Sequence, residues 1–326
     1  ATWRLEALVK KSPGFLPAWT SLARLRAAIG NEEGSIAAYR QALAINPHHR
    51  TALLGLAEHH LNRGDFSEAE ITLRRILEQH PHDAEANLRL AILLATSGRT
   101  EDAIEIYNEL IARDESNLLL RMNRAAARKA IDDAEGAEQD YLYVAGEEPK
   151  ALEAYLSLQE ILIAQRRANR NLEFWRYRLD QLGKNDETLA CLVWALALDE
   201  REDEAAALEP EISSESPGRR FARWAWAVAA LKKGDDDAAR RILIDELAPR
   251  STIELSSWQT RVLRGMLDLL DIKAKRSAAG RFALALYLRE AAQEELSEMA
   301  LKQLADESGP WGEAARDALS AGRGNR

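Results

Sequence analysis

The sequence predicts an all-α fold in which antiparallel helix pairs stack into a solenoid closed by a C-terminal helical cap. Three observations carry this expectation. Small residues recur every 34 positions, at Ala23, Ala57, Ala91 and Ala125. Glycine recurs with the same step at Gly30, Gly64 and Gly98. Proline does so at Pro13, Pro47 and Pro81. A fixed period of this length marks units that cannot bury their apolar faces alone and must stack to form one continuous core.

The elements follow from that register. Residues 1–15 read as the second helix of a pair, closed by Pro13, so the chain is expected to be a fragment whose first helix lies upstream. Seven units of 34 residues then run to about residue 250. In each, a small residue at the crossing lets two helix axes approach to about 8–10 Å. Its column continues through Gln159, Val193 and Ala227, and a second small column holds Ser35, Ala69, Ala103, Ala137, Asn171, Ala205 and Ala239. Glycine accepts the left-handed conformation that ends the first helix, and Asp65 with Glu68 has capping-box spacing for the second. Proline suits the turn between units because it cannot continue a helix.

The fifth and sixth units are degenerate. Over 150–220, Gln159 and Asn171 replace small residues and Arg166 replaces the turn glycine. Residues 251–326 form the C-terminal segment, where STIELSSWQTRVLRGMLDLLDIKAK breaks the register. A degenerate pair is expected over 278–310, with Leu284, Ala285, Leu301 and Leu304 in suitable places. A capping helix over 311–320 carries Trp311, Ala314, Ala315 and Leu319 on one face, before a disordered tail, GRGNR.

The units resemble the tetratricopeptide repeat, whose pattern runs W-x₂-L-G-x₂-Y, then A-x₃-F, then P. Trp19, Leu22 and Ala23 stand at the W, L and G positions, Tyr39 at F, and Pro47 closes the unit. The next unit reads Leu53, Leu56, Ala57, Gly64, Ala69, Leu73 and Pro81. The resemblance implies a right-handed superhelical solenoid whose first helices line a concave groove that contacts ligands. Carried over, the inward positions are Thr20, Ser21 and Arg24; Leu54, Gly55 and Glu58; Leu88, Arg89 and Ile92; and Met122, Asn123 and Ala126. They continue with Leu156, Ser157 and Glu160; Ala190, Cys191 and Trp194; and Trp224, Ala225 and Val228. The family's Lys/Asn carboxylate clamp and its asparagine ladder are missing, since Asn123 stands almost alone. An apolar strip of Leu54, Leu88, Ile92, Met122, Leu156, Trp194 and Trp224 remains, and a strip of that length marks a binding surface unless a neighbouring helix or the C-terminal segment covers it.

Composition narrows the function. Among 326 residues, 46% are hydrophobic and 30% charged, and the net charge of −9 argues against a nucleic-acid binder, which needs a basic footprint. No apolar run is long enough to insert into a bilayer, so any membrane attachment would come from upstream sequence. The single cysteine, Cys191, excludes an internal disulfide framework. That fits a reducing cytosol without fixing the compartment.

Four of the six histidines, His48, His49, His59 and His60, fall within 45–60. His48 and His82 occupy one repeat position, about 8–10 Å apart in stacked units, against the roughly 2 Å of a zinc–nitrogen bond. His59 and His60 are adjacent and lack the i, i+4 placement that clamps a metal. Structural roles are expected for all of them. Phosphate loops, nucleophile elbows and dinucleotide fingerprints are missing, and the abundant carboxylates read as a solvated face. No catalysis, cofactor or metal is therefore expected of this chain.

The run RRANRNLEFWRYR places Arg166, Arg167, Arg170 and Arg176 beside Trp175, a mixture that binds anionic or aromatic partners or simply packs. The expected function is a protein-interaction scaffold or adaptor that holds a segment of another protein along the apolar groove. The alternative is a regulatory or substrate-recruiting arm of a larger enzyme, and self-association through exposed solenoid ends is a third possibility.

Overall fold

A computed structural model describes residues 2–165, 167–249, 254–268 and 270–323. Among these every regular element is helical. The chain divides into two compact units, residues 1–144 and 145–326. The boundary falls well before residue 250 because the C-terminal helices share a core with the later repeats.

The first unit contains α1 (Thr2–Lys11), α2 (Leu16–Ala28), α3 (Glu32–Ile45), α4 (Arg50–Arg63), α5 (Phe66–Gln79), α6 (Ala84–Thr96), α7 (Thr100–Arg113) and α8 (Leu118–Ala130). Most of α9 (Ala134–Glu147) belongs to it as well. The pairs α2–α3, α4–α5 and α6–α7 pack as hairpins, and each hairpin packs on the next. Both small columns are fully buried here: Ala23, Ala57, Ala91 and Ala125 in the first helices, Ser35, Ala69, Ala103 and Ala137 in the second. Around them Leu53, Leu73, Ile76, Leu90, Leu94 and Tyr107 form the core.

Helix starts keep the register. Asn31 caps α3 by accepting from the Gly34 amide, and Asp83 caps α6 by accepting from Ala86. Asp65 sits at the start of α5 but makes no capping bond, so the expected capping box is not formed. Its carboxylate turns back towards His60 Nδ1 at 3.7 Å and Arg63 Nε at 3.5 Å.

The second unit holds α10 (Leu152–Ala164), α11 (Ala168–Leu182), α12 (Asp186–Leu198), α13 (Glu202–Leu208), α14 (Pro217–Lys233) and α15 (Asp236–Arg240), which runs into a π-helix at Arg241–Leu247. It ends with α16 (Ser257–Asp268), α17 (Ile272–Arg276), α18 (Ala278–Glu290), α19 (Glu294–Ala305) and α20 (Pro310–Arg323). Helix α13 is short because Pro210 cannot continue it.

The degenerate units keep their helices. Helices α2, α4, α6, α8, α10 and α12 begin at residues 16, 50, 84, 118, 152 and 186, each 34 after the last. The left-handed turn recurs at Gly30, Gly64 and Gly98, then at Asp132, Glu200 and Gly234. It therefore persists where the sequence supplies no glycine. Helices α18 and α19 pack as a hairpin that buries Ala285, Leu301 and Leu304, while Leu284 is exposed. Against them α20 packs Ala314 and Ala315, and the Trp311 ring lies 5.6 Å from Phe282. The last residues of the tail, 324–326, lie outside the described residues.

Candidate functional site

In the first unit the first helices enclose an open cavity of about 690 Å³. Helix α2 contributes Arg24; α4 contributes Arg50, Leu54, Gly55, Glu58 and His59; α6 contributes Glu85 and Arg89. From α3, Tyr39 reaches beneath Gly55, where an added Cβ would lie 2.2 Å from the Tyr39 Cζ. Glycine mid-helix costs helix stability relative to alanine, and here it makes room for the ring. Burial pushes the Tyr39 phenol above its ordinary range.

Charge is arranged around this floor as linked pairs. Arg50 donates to Asp83 and, at 3.0 Å, to Glu85. That guanidinium holds the Asp83 carboxyl below the usual carboxylate range. Arg89 spans Glu85 at 3.1 Å and Glu58 at 3.6 Å. Such pairs are worth little in stability when exposed, but they fix the direction of each charge towards anything entering.

The inward positions of the sequence reading are brought together only in part. Arg24, Leu54, Gly55, Glu58 and Arg89 line the cavity. Leu54 is nearly buried, Leu88 packs against the core, and Met122 and Asn123 are half-buried. Only Ile92 of the expected apolar strip is well exposed here, at 43%. The open face of this unit is thus mixed in charge rather than apolar. Arg50, Glu85 and Tyr39 were missed because the groove pattern counts three positions per helix, whereas Arg50 and Glu85 come from first turns and Tyr39 from a second helix.

In the second unit the expected strip is not a free surface. Leu156, Trp194, Trp224 and Val228 are all buried, Trp224 completely. The covering element is α16, which packs on α14 and places Val262, Leu263, Met266 and Leu267 in the core. Arg261 of α16 donates to Glu153 of α10 at 2.8 Å. An aromatic series joins the layers: Tyr155 to Trp175, Trp175 to Trp194, Trp194 to Phe221, and Phe221 to Trp258, with centroids 5.4–6.2 Å apart. The signal was present in the sequence, since Val262, Leu263, Met266, Leu267 and Leu270 follow helical spacing.

The arginine–aromatic run is also corrected. Trp175 is buried, with its indole hydrogen donated to Gln159. Arg178 is buried beneath Tyr155 and Trp175 and pairs with Glu187 at 2.7 Å. Arg176 pairs with Glu204 at 2.9 Å, and Arg167 donates to Gln165. Arg166 and the side chain of Arg170 lie outside the described residues. Of the described side chains in this run, Trp175 and Arg178 are therefore core packing and Arg176 is ion-paired at the surface. Cys191 is fully buried, and burial pushes its thiol above the ordinary range, away from the reactive thiolate.

Three of the histidines hold structural contacts. His49 caps α4, His59 meets the Ser35 hydroxyl at 2.9 Å, and His82 meets Arg113 at 2.7 Å. Among the described residues no helix is long and apolar enough to cross a membrane.

The match to a family model agrees with the repeat architecture over part of the first unit. The family model for the tetratricopeptide repeat matches residues 30–85 and 72–127. Over 136 residues the chain is 28% identical to cellulose synthase 1 operon protein C of Komagataeibacter xylinus, covering 41% of this chain and 10% of that protein. Over 125 residues it is 31% identical to protein O-mannosyl-transferase TMTC1 of Homo sapiens, covering 38% and 14%. Over 86 residues it is 34% identical to the peroxisomal targeting signal receptor of Pichia angusta, covering 26% and 15%. The matched segments thus span between a tenth and a sixth of these relatives. Among solved structures, YrrB, a tetratricopeptide-repeat protein with an unusual peptide-binding site, aligns at 14% identity with a TM-score of 0.49, covering 58% of this chain and 97% of its own.

Proposed function

Residues 30–127 are tetratricopeptide repeats, and from that premise we propose that the chain is a non-catalytic scaffold that binds a segment of another protein. The binding surface in this reading is the inner face of the first unit. The observation that carries it is the open cavity over Gly55 and Tyr39, ringed by Arg24, Arg50, Glu58, Glu85 and Arg89, with Ile92 exposed on the same helix as Arg89. A partner segment placed there meets directional charges at its edges and exposed apolar surface at Ile92. That suits a short peptide of mixed charge with one apolar anchor. The peroxisomal targeting signal receptor, named for recognising a targeting signal, supports a peptide-binding role.

The test is selection of binders from a library of random peptides displayed on phage, against the full chain and against an Arg89→Glu, Ile92→Glu variant of unchanged helicity. Enriched peptides that bind the wild type and lose the variant support the reading. Peptides that bind both equally refute it. A second reading, a recruiting arm of a larger enzyme, is favoured by the relatives named as a transferase and as a cellulose synthase operon protein, of which the match spans 14% and 10%.

A further inference from the structure

Arg24, Glu58 and Ile92 stand 34 residues apart in the chain. Helices α2, α4 and α6 begin at Leu16, Arg50 and Ala84 with the same step, so each of the three is the ninth residue of its helix. All three are exposed, although the residues just before them, Ala23, Ala57 and Ala91, are fully buried. They form one row across the inner face of the first unit: a cation, an anion and an apolar side chain. Ala126 follows at the same repeat position and ends the row with a methyl group.

Other charges of the first helices are engaged with one another, Arg50 with Asp83 and Glu85, and Arg89 with Glu85. Arg24 makes neither a hydrogen bond nor an ion pair among the described residues. Glu58 meets Arg89 at 3.6 Å, beyond hydrogen-bonding distance, and its side chain is 58% exposed. Arg24 and Glu58 thus call for opposite charges on whatever lies over them. Spacing then selects the conformation of that occupant. Packed helices such as α2 and α4 lie about 8–10 Å apart. A polyproline II segment shows every third side chain on one side and rises about 3.1 Å per residue, so those side chains recur at about 9.3 Å. This matches the helix step. A β-strand repeats a face every second residue, which at roughly 3.3 Å per residue gives about 6.6 or 13 Å. An α-helix overshoots, returning to one face after about 10.5 Å over seven residues.

We propose that this row reads a proline-rich segment in polyproline II conformation whose every third residue is acidic, basic and apolar in turn. The inference rests on the peptide-binding reading above and names the chemistry of its partner. The acidic residue pairs with Arg24, the basic residue with Glu58, and the apolar residue packs on Ile92. Proline suits the intervening positions because its fixed φ preorganises the segment and lowers the entropy lost on binding. Each exposed pair contributes little alone. Preference therefore comes from the order of the three groups, since a wrong order sets like charges against each other.

The experiment is a ligand-detected NMR titration of the full chain with end-blocked synthetic peptides, DPPRPPL and its reversal LPPRPPD, which cover both chain directions. One of them is expected to bind saturably, and about three- to fivefold more tightly than its glycine-spaced counterpart or than the peptide with its two charges exchanged. Arg24→Glu should move the preference to the peptide with arginine in place of aspartate. Glu58→Arg should move it to the peptide with aspartate in place of arginine, and provides the same test should the first variant fail to fold. Binding that is lost from the Arg89→Glu, Ile92→Glu variant but is indifferent to charge order, to glycine spacing or to both charge reversals would overturn the row and leave the groove reading standing. Saturation by none of the peptides would also overturn the row, the groove reading then being decided by the phage selection. Equal binding to the wild type and to the Arg89→Glu, Ile92→Glu variant would overturn both.

Discussion

The Tyr39 ring lies directly beneath Gly55, so close that no other residue at position 55 could keep the ring where it is. This relationship joins two consecutive repeats and forms the floor of the open cavity in the first unit. Gly55→Ala should destabilise by about 1–3 kcal/mol through overpacking, although alanine gains about 1 kcal/mol in helix propensity. Urea unfolding of the two proteins checks the sign. A stabilised variant would mean that Tyr39 moves aside without cost.

Asp140 is buried and gathers Arg124, at 2.6 and 2.8 Å, and Arg128, at 2.9 Å. Removing one partner of a buried charge cluster leaves the others uncompensated, at about 3–5 kcal/mol. Asp140→Ala should therefore be among the most damaging single changes in the first unit, read as a lowered urea midpoint. A loss under about 1 kcal/mol, the range of an exposed pair, would contradict the burial.

Asp83 gives a pH-dependent prediction. Its carboxyl titrates below the usual range because Arg50 binds the charged form and the Ala86 amide adds a second bond. A depressed carboxylate contributes stability that is present above its unfolded value, about 3.9, and is lost as pH falls through the lower folded value. Asp83→Asn should melt below wild type at pH 7, with the gap closing as pH is lowered through that window. A gap that stays constant with pH would remove the ionic part of the effect.

Glu200 holds a left-handed backbone where other units carry glycine. Glu200→Gly should stabilise by about 0.5–1 kcal/mol, because it relieves the Cβ strain of that conformation. Among the described residues its side chain makes an exposed contact at 3.7 Å with Lys232 and a through-space attraction to Lys233. Thermal unfolding reads the result directly.

That position also shows how much of the fold was legible. The 34-residue register comes from local chemistry that repeats, and it persists through Asp132 and Glu200 because packing of the buried columns outweighs one strained residue. The site was legible only partly. Arg24, Leu54, Glu58 and Arg89 follow from position within a repeat, but the burial of Trp194 and Trp224 depends on α16, which lies outside the repeat pattern. A periodic reading finds what each unit shares. It cannot see a helix that occurs once and covers the groove, nor the buried hydrogen bond by which Gln159 accepts from Trp175.

The most direct measurement is site-specific photo-cross-linking in native cell extract. A benzophenone side chain is placed either at Ile92, exposed three residues after Arg89 on α6, or at Ile71, exposed on α5. The account predicts a discrete protein adduct from position 92 that disappears when Arg89→Glu is added, and none from position 71. Adducts from position 71 alone, or from position 92 unaffected by Arg89→Glu, would contradict it.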